Sequence, residues 1–138
     1  MCSMNHIIEV KYTPGLRTEA VHLQSGTEII TDAPTDNNGK GQSFSPTDLV
    51  CSALSSCLMT IMGIRAEKEG ISLAGMNARV TKVMSANPRK IAEIHVHVSH
   101  PEIQATPEQR EALKHAALTC PVALSLSPSI KQEITFDF

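Results

Sequence analysis

Apolar and polar residues alternate over residues 6 to 12 and again over 18 to 23, a two-residue period that predicts strands, with Thr13-Pro14-Gly15 as the turn between them. Gln24-Ser25-Gly26 turns the chain again into Thr27-Glu28-Ile29-Ile30-Thr31, so this part reads as an antiparallel meander. Residues 32 to 43 collect Asp, Pro, Asn, Gly and Ser and predict a surface loop, one able to cover a site.

The period then changes. Ser45-Pro46-Thr47-Asp48 is a helix start, with Ser45 as N-cap, Pro46 at the first helical position and Asp48 where a capping carboxylate belongs. The helix is expected to run to about Lys68 and stop at Gly70. Val50, Ala53, Leu54, Cys57, Leu58, Ile61 and Met62 recur at three- and four-residue spacing, while Leu49, Cys51, Met59 and Ile64 fall on other faces. Such a helix is expected to be buried on most sides. Residues 75 to 84 and 90 to 99 read as two strands joined by Ala86-Asn87-Pro88-Arg89, the second alternating Ile94, Val96, Val98 against Glu93, His95, His97. Thr106-Pro107-Glu108-Gln109 repeats the capping pattern before a helix of 107 to 118. Cys120-Pro121 opens a short helical turn, and 130 to 138 alternates as a closing strand. The expectation is one α+β domain over residues 1 to 138, with antiparallel sheets around a central buried helix.

Composition narrows the function classes. The chain of 138 residues is 41% hydrophobic and 19% charged with a formal net charge of -2, which points away from nucleic acid and from a polybasic membrane surface. No signal-peptide pattern opens the chain and no apolar run reaches the ~18 residues of a membrane span, so no membrane partner and a cytoplasmic location are expected. In a reducing compartment Cys2, Cys51, Cys57 and Cys120 are not structural bridges, and any disulfide among them is transient and chemical. Aromatic residues are 3%, so the core must be built from aliphatic side chains and Met.

Position alone ranks the thiols. Cys120, just before Pro121, sits at a helix N-terminus, where unpaired N–H groups and the partial positive charge favour a thiolate. Cys57 lies about three turns into its helix, where burial raises a thiol pKa, so it is a nucleophile only if a cation is brought to it. Cys51 is turned roughly 240° from Cys57 around the helix and reads as a small core hydrophobe, and Cys2 as a frayed terminal residue. His95 and His97 share a strand face with His100 just beyond, but nothing local completes a metal site and a solvated face is the reading taken. Met59 and Met62 read as core packing, although both could line an apolar pocket.

Ser45-Pro46-Thr47-Asp48-Leu49, a small-residue helix ending in Ser56-Cys57-Leu58, and Cys120-Pro121-Val122 about sixty residues on resemble the OsmC/Ohr family, osmotically induced protein C and organic hydroperoxide resistance protein. The resemblance covers nearly the whole chain. It implies an intertwined homodimer with two central helices between sheets, and Ser52, Ala53, Ser55 and Ser56 are small enough for close helix approach. It also implies that Cys57 attacks an organic hydroperoxide, that Cys120 resolves the sulfenic acid as a disulfide, and that a dithiol reductant restores both. Arg17 matches the family's activating arginine and would supply the cation that Cys57 needs, reversing the positional ranking. No cofactor or metal is implied.

One position departs from the pattern. Family members with strong peroxidase activity carry Asn-Pro-Glu at this helix start, the Glu paired to the arginine; here Thr47 stands ten residues before Cys57. Asp48 is one residue off register, about 100° around the helix, and reads as a capping residue. Two functions from different classes follow: thiol-dependent reduction of organic hydroperoxides, or a noncatalytic dimeric module that binds a small hydrophobic or thiol-reactive ligand.

Overall fold

The computed structural model describes residues 5–138, so the expectation for Cys2 lies outside the described residues. The chain divides into two compact units, Met1–Leu49 and Val50–Phe138.

In the first unit β1 (Ile8–Thr13), β2 (Arg17–His22) and β3 (Glu28–Asp32) form an antiparallel sheet in that order. The turn from β1 to β2 places Gly15 and Leu16 at positive φ, 99° and 64°, which explains the glycine. The pairing aligns Tyr12 with Thr18, Val10 with Ala20 and Ala20 with Ile29. Cross-strand neighbours share a face, so Ile8, Val10, Tyr12, Ala20 and Ile29 lie together, opposite Glu9, Lys11, Glu19 and Glu28. This apolar face is open: Val10 is 57% and Tyr12 66% exposed. The following segment is a loop as expected, except at its first residue. Asp32 is the last residue of β3 and is fully buried. A single 3-10 turn at Thr35–Asn37 interrupts the loop, and Gly39 passes so close to Ala33 that a Cβ there would lie 1.7 Å from its carbonyl oxygen.

α1 (Pro46–Lys68) begins where the sequence predicts. The Ser45 hydroxyl accepts the Asp48 N–H at 3.1 Å and the Asp48 carboxylate accepts the Ser45 N–H at 3.0 Å, a capping box. The chain continues through β4 (Asn77–Ser85), β5 (Lys90–Ser99), α2 (Pro107–Ala117), α3 (Pro121–Ser125) and β6 (Lys131–Asp137). Thr106 and Gln109 form the second capping box, at 3.1 and 2.9 Å.

The core of the second unit is a sandwich of one helix stripe against one sheet face. Leu54, Leu58, Met62 and Ala66 from α1 join Ile94, Val96 and Val98 from β5 and Leu113 and Ala117 from α2 in one buried cluster. Ile91, three residues before Ile94, is buried too, because β5 carries an extra residue, Ala92, opposite the Val83–Met84 step of β4, which shifts the alternation there. Met62 is core and Met59 packs at its edge.

Three expectations are corrected. The second sheet, ordered β4-β5-β6, is mixed: β5 pairs antiparallel with β4 but parallel with β6. The chain crosses from β5 to β6 through α2 and α3, which return it to the starting end, so β6 runs in the direction of β5. α1 is buried along one stripe only, Cys51, Leu54, Ser55, Leu58, Met62 and Ala66, whereas Ile64 is half exposed. Its apolar stretch is also longer than expected: the 23 residues contain an 18-residue window of mean hydropathy 1.6, long and apolar enough by composition to cross a membrane, although its buried stripe packs in the protein core.

Candidate functional site

Two side-chain clusters carry chemistry, one in each unit. In the second, Cys57 on α1 and Cys120 at the N-cap of α3 are neighbours, both unbridged. Cys57 packs against the core with part of its surface accessible, and Cys120 is fully buried. Cys51 belongs to the buried stripe of α1 and lies in the core cluster.

Burial pushes the Cys120 thiol above its usual pKa. The Ala123 N–H donates to its Sγ at 3.2 Å and works the other way, and the adjacent Cys57 adds to the upward shift. The expectation that the helix end lowers the Cys120 pKa is therefore overturned. The helix-end effect is present, but α3 has five residues and a correspondingly weak dipole, and desolvation outweighs it. A buried neutral thiol next to a more accessible one suits the second partner in disulfide formation, which needs contact with the other sulfur and not with solvent.

In the first unit Arg17, at the start of β2, stands directly opposite Asp32 at the end of β3. Its Nη2 donates to Asp32 Oδ2 at 3.4 Å and also to the Gln42 side-chain oxygen. The Gln42 backbone N–H donates to the same Asp32 oxygen at 3.0 Å. That bond is the foremost cause holding the Asp32 carboxyl below its usual pKa; burial opposes it and the Arg17 guanidinium reinforces it. Sequence reasoning missed both Asp32 and Gln42. The available signal was the opposite charge of Arg17 and Asp32, which marks a cross-strand pair only once the register is known.

At the helix start Thr47 Oγ1 lies 3.2 Å from Ser45 Oγ, within the capping structure that also engages Asp48. On the strand face His95 Nε2 is 3.1 Å from Glu93 and His97 Nδ1 is 2.7 Å from Thr135 Oγ1. Among the described residues no group of three His, Cys, Asp or Glu side chains is placed to hold a metal ion.

A family model described as OsmC-like protein matches residues 39–135, most of the chain. The chain belongs to the OsmC-like family. A solved structure from Psychrobacter arcticus 273-4, named for osmotic stress induction and a detoxification response, is 45% identical and covers 98% of each chain with a TM-score of 0.92. An OsmC-like protein from Mycoplasma pneumoniae is 18% identical with a TM-score of 0.75, covering 99% of this chain and 100% of that one. The organic hydroperoxide resistance protein OsmC of Legionella pneumophila is 15% identical with a TM-score of 0.71 over the full length of both. At those last identities the likeness is one of fold. No curated protein matches the chain. The OsmC-like fold thus accounts for two three-stranded sheets and for the long helix that carries Cys57.

Proposed function

We propose that this OsmC-like protein reduces organic hydroperoxides with Cys57 and Cys120. The observation that carries the reading is the adjacency of a partly accessible Cys57 and a buried Cys120, both reduced, on two helices of one core. The Cys57 thiolate attacks the distal peroxide oxygen, the O–O bond breaks, and the alkoxide leaves with a proton as the alcohol. Cys57 is then a sulfenic acid. Cys120 sulfur attacks it, forming the S–S bond as water departs with the hydroxyl and the Cys120 proton. The net change is one hydroperoxide and two thiols to alcohol, water and a disulfide, which an external dithiol reduces. Family resemblance gives Arg17 the part of the cation that stabilises the thiolate and polarises the peroxide.

The same reading makes the protein a homodimer in a reducing, cytoplasmic compartment. Support comes from the open apolar face of β1 to β3, where Ile8, Val10, Tyr12 and Ile29 are about half exposed or more. A second copy that covers this face would remove that surface from water.

The test is to add an alkyl or aryl hydroperoxide to reduced protein and follow products by intact mass and peptide mapping. Loss of two hydrogens localised to a Cys57 to Cys120 bridge is the expected result. Cys57→Ser should abolish peroxide consumption, and Cys120→Ser should leave a sulfenic acid on Cys57. Thiols that stay unreacted at catalytic protein concentration would refute the enzyme reading. Thr47, without the charge that strong peroxidases of the family carry there, favours the second reading, a dimeric module that binds a small hydrophobic or thiol-reactive ligand; its mark would be ligand binding without turnover.

A further inference from the structure

Asp32 is a fully buried carboxylate, an arrangement that costs free energy unless donors compensate it. Arg17 Nη2 and the Gln42 N–H both donate to Oδ2, while Oδ1 is buried with no hydrogen-bond partner. Gln42 closes the ring, because its side-chain oxygen accepts from the same Arg17 nitrogen that Asp32 holds. The three residues therefore form a closed loop of contacts, in which the backbone of one member fixes the second and its side chain fixes the third.

The consequence for Arg17 lies in which of its donors are used. A guanidinium carries five N–H donors in a rigid plane. Both side-chain contacts fall on Nη2, and the side chain stays 35% exposed. One end of the fork is tied down. Nε and Nη1 have no hydrogen-bond partner among the described residues. We infer that Asp32 and Gln42 are positioning residues, which clamp Arg17 by Nη2 and leave its other nitrogens to bind an anionic or peroxidic oxygen. Asp32 thereby supplies, from β3, a carboxylate partner for Arg17 in a chain whose first helical turn has Thr47 in place of a glutamate. This rests on the reading that Arg17 serves the peroxide reaction.

Loop geometry explains why Gln42 can do this. Gly39 is pressed against Ala33, and Gly41 has φ +63° beside Thr35, so the backbone turns tightly enough to bring the residue after Gly41 back over the end of β3. The Asp32 N–H bond to the Phe44 carbonyl at 3.0 Å fixes the far side of that return.

The experiment is a double-mutant cycle on the full-length protein, reading the single-turnover rate constant with one alkyl hydroperoxide. Asp32→Asn keeps the size and shape of the buried side chain while removing its charge, and Gln42→Ala keeps the backbone donor while removing the side-chain acceptor. Asp32→Asn should slow the reaction about tenfold and Gln42→Ala several-fold, the scale of losing a hydrogen bond to a charged group. Neither should slow an Arg17→Ala protein further. Equal slowing in both backgrounds would mean a role independent of Arg17 and would overturn the inference. If Arg17→Ala alone leaves the rate unchanged, the peroxide role of Arg17 fails, and NMR of the guanidinium decides the positioning by itself. Resolved Arg17 Nη protons in the wild type that average in Asp32→Asn support the clamp; averaged protons in the wild type refute it.

Discussion

The two halves of the chain invert each other. From Cys51 to Cys120 the buried residues are nearly all apolar and form one core, whereas the described residues before Leu49 bury only Thr31, Asp32 and Ser45, all polar. Ile8, Val10, Tyr12 and Ile29 meanwhile stay exposed. Each half has a three-stranded sheet, so strand number does not explain the difference. The C-terminal sheet has a helix stripe across its face. The N-terminal sheet is organised by hydrogen bonds at one end, around Arg17, Asp32 and Gln42, and leaves an apolar face exposed. Order by packing and order by polar pairing are thus separated along one chain.

The sharpest way to test that separation is to truncate the core. Leu58 is fully buried in the cluster, and Leu58→Ala should cost about 2–5 kcal/mol by lost transfer energy and the cavity left behind. Denaturant unfolding at two protein concentrations measures it, with the same loss expected at both. Val10 should behave otherwise. Val10→Asp puts a charge in the middle of the exposed face, where the single chain tolerates it and a covered face does not. With the proposed homodimer seated on this face, sedimentation equilibrium should show its dissociation constant raised about a hundredfold. A Val10→Asp protein that unfolds as readily as Leu58→Ala while still dimeric would break the comparison.

The C-terminal half was the more legible in the sequence, and for a physical reason. Its signals are local: Thr106 and Gln109 declare the start of α2, and Ser45 and Asp48, just before this half, that of α1, because each capping box is completed within four residues. The β5 alternation is local too. What was not legible depends on distant partners. The parallel pairing of β6 follows from the path of a crossover, and the pKa of Cys120 from being fully buried, which defeats the local helix-end effect. Asp32 looked like one more turn residue, because its role depends on a register that sets it opposite Arg17. For the same reason the resemblance could name Cys57, Cys120 and Arg17, but could not supply the carboxylate that holds Arg17.

The smallest expected effect tests polar order in the N-terminal half through pH. Asp32 has a folded-state pKa below its unfolded value of about 3.9, chiefly because the Gln42 N–H bonds its ionised form. The stabilisation it contributes is therefore complete above that unfolded value and is lost as pH falls through the lower folded one. Following the Gln42 amide and Asp32 carboxyl NMR signals downward from pH 5 should give a common midpoint below about 3.9, and in Asp32→Asn the amide transition should vanish. A midpoint at or above that value would mean that burial outweighs the donors. Polar pairing would then not be what orders this half, and the contrast with the apolar core would lose its basis.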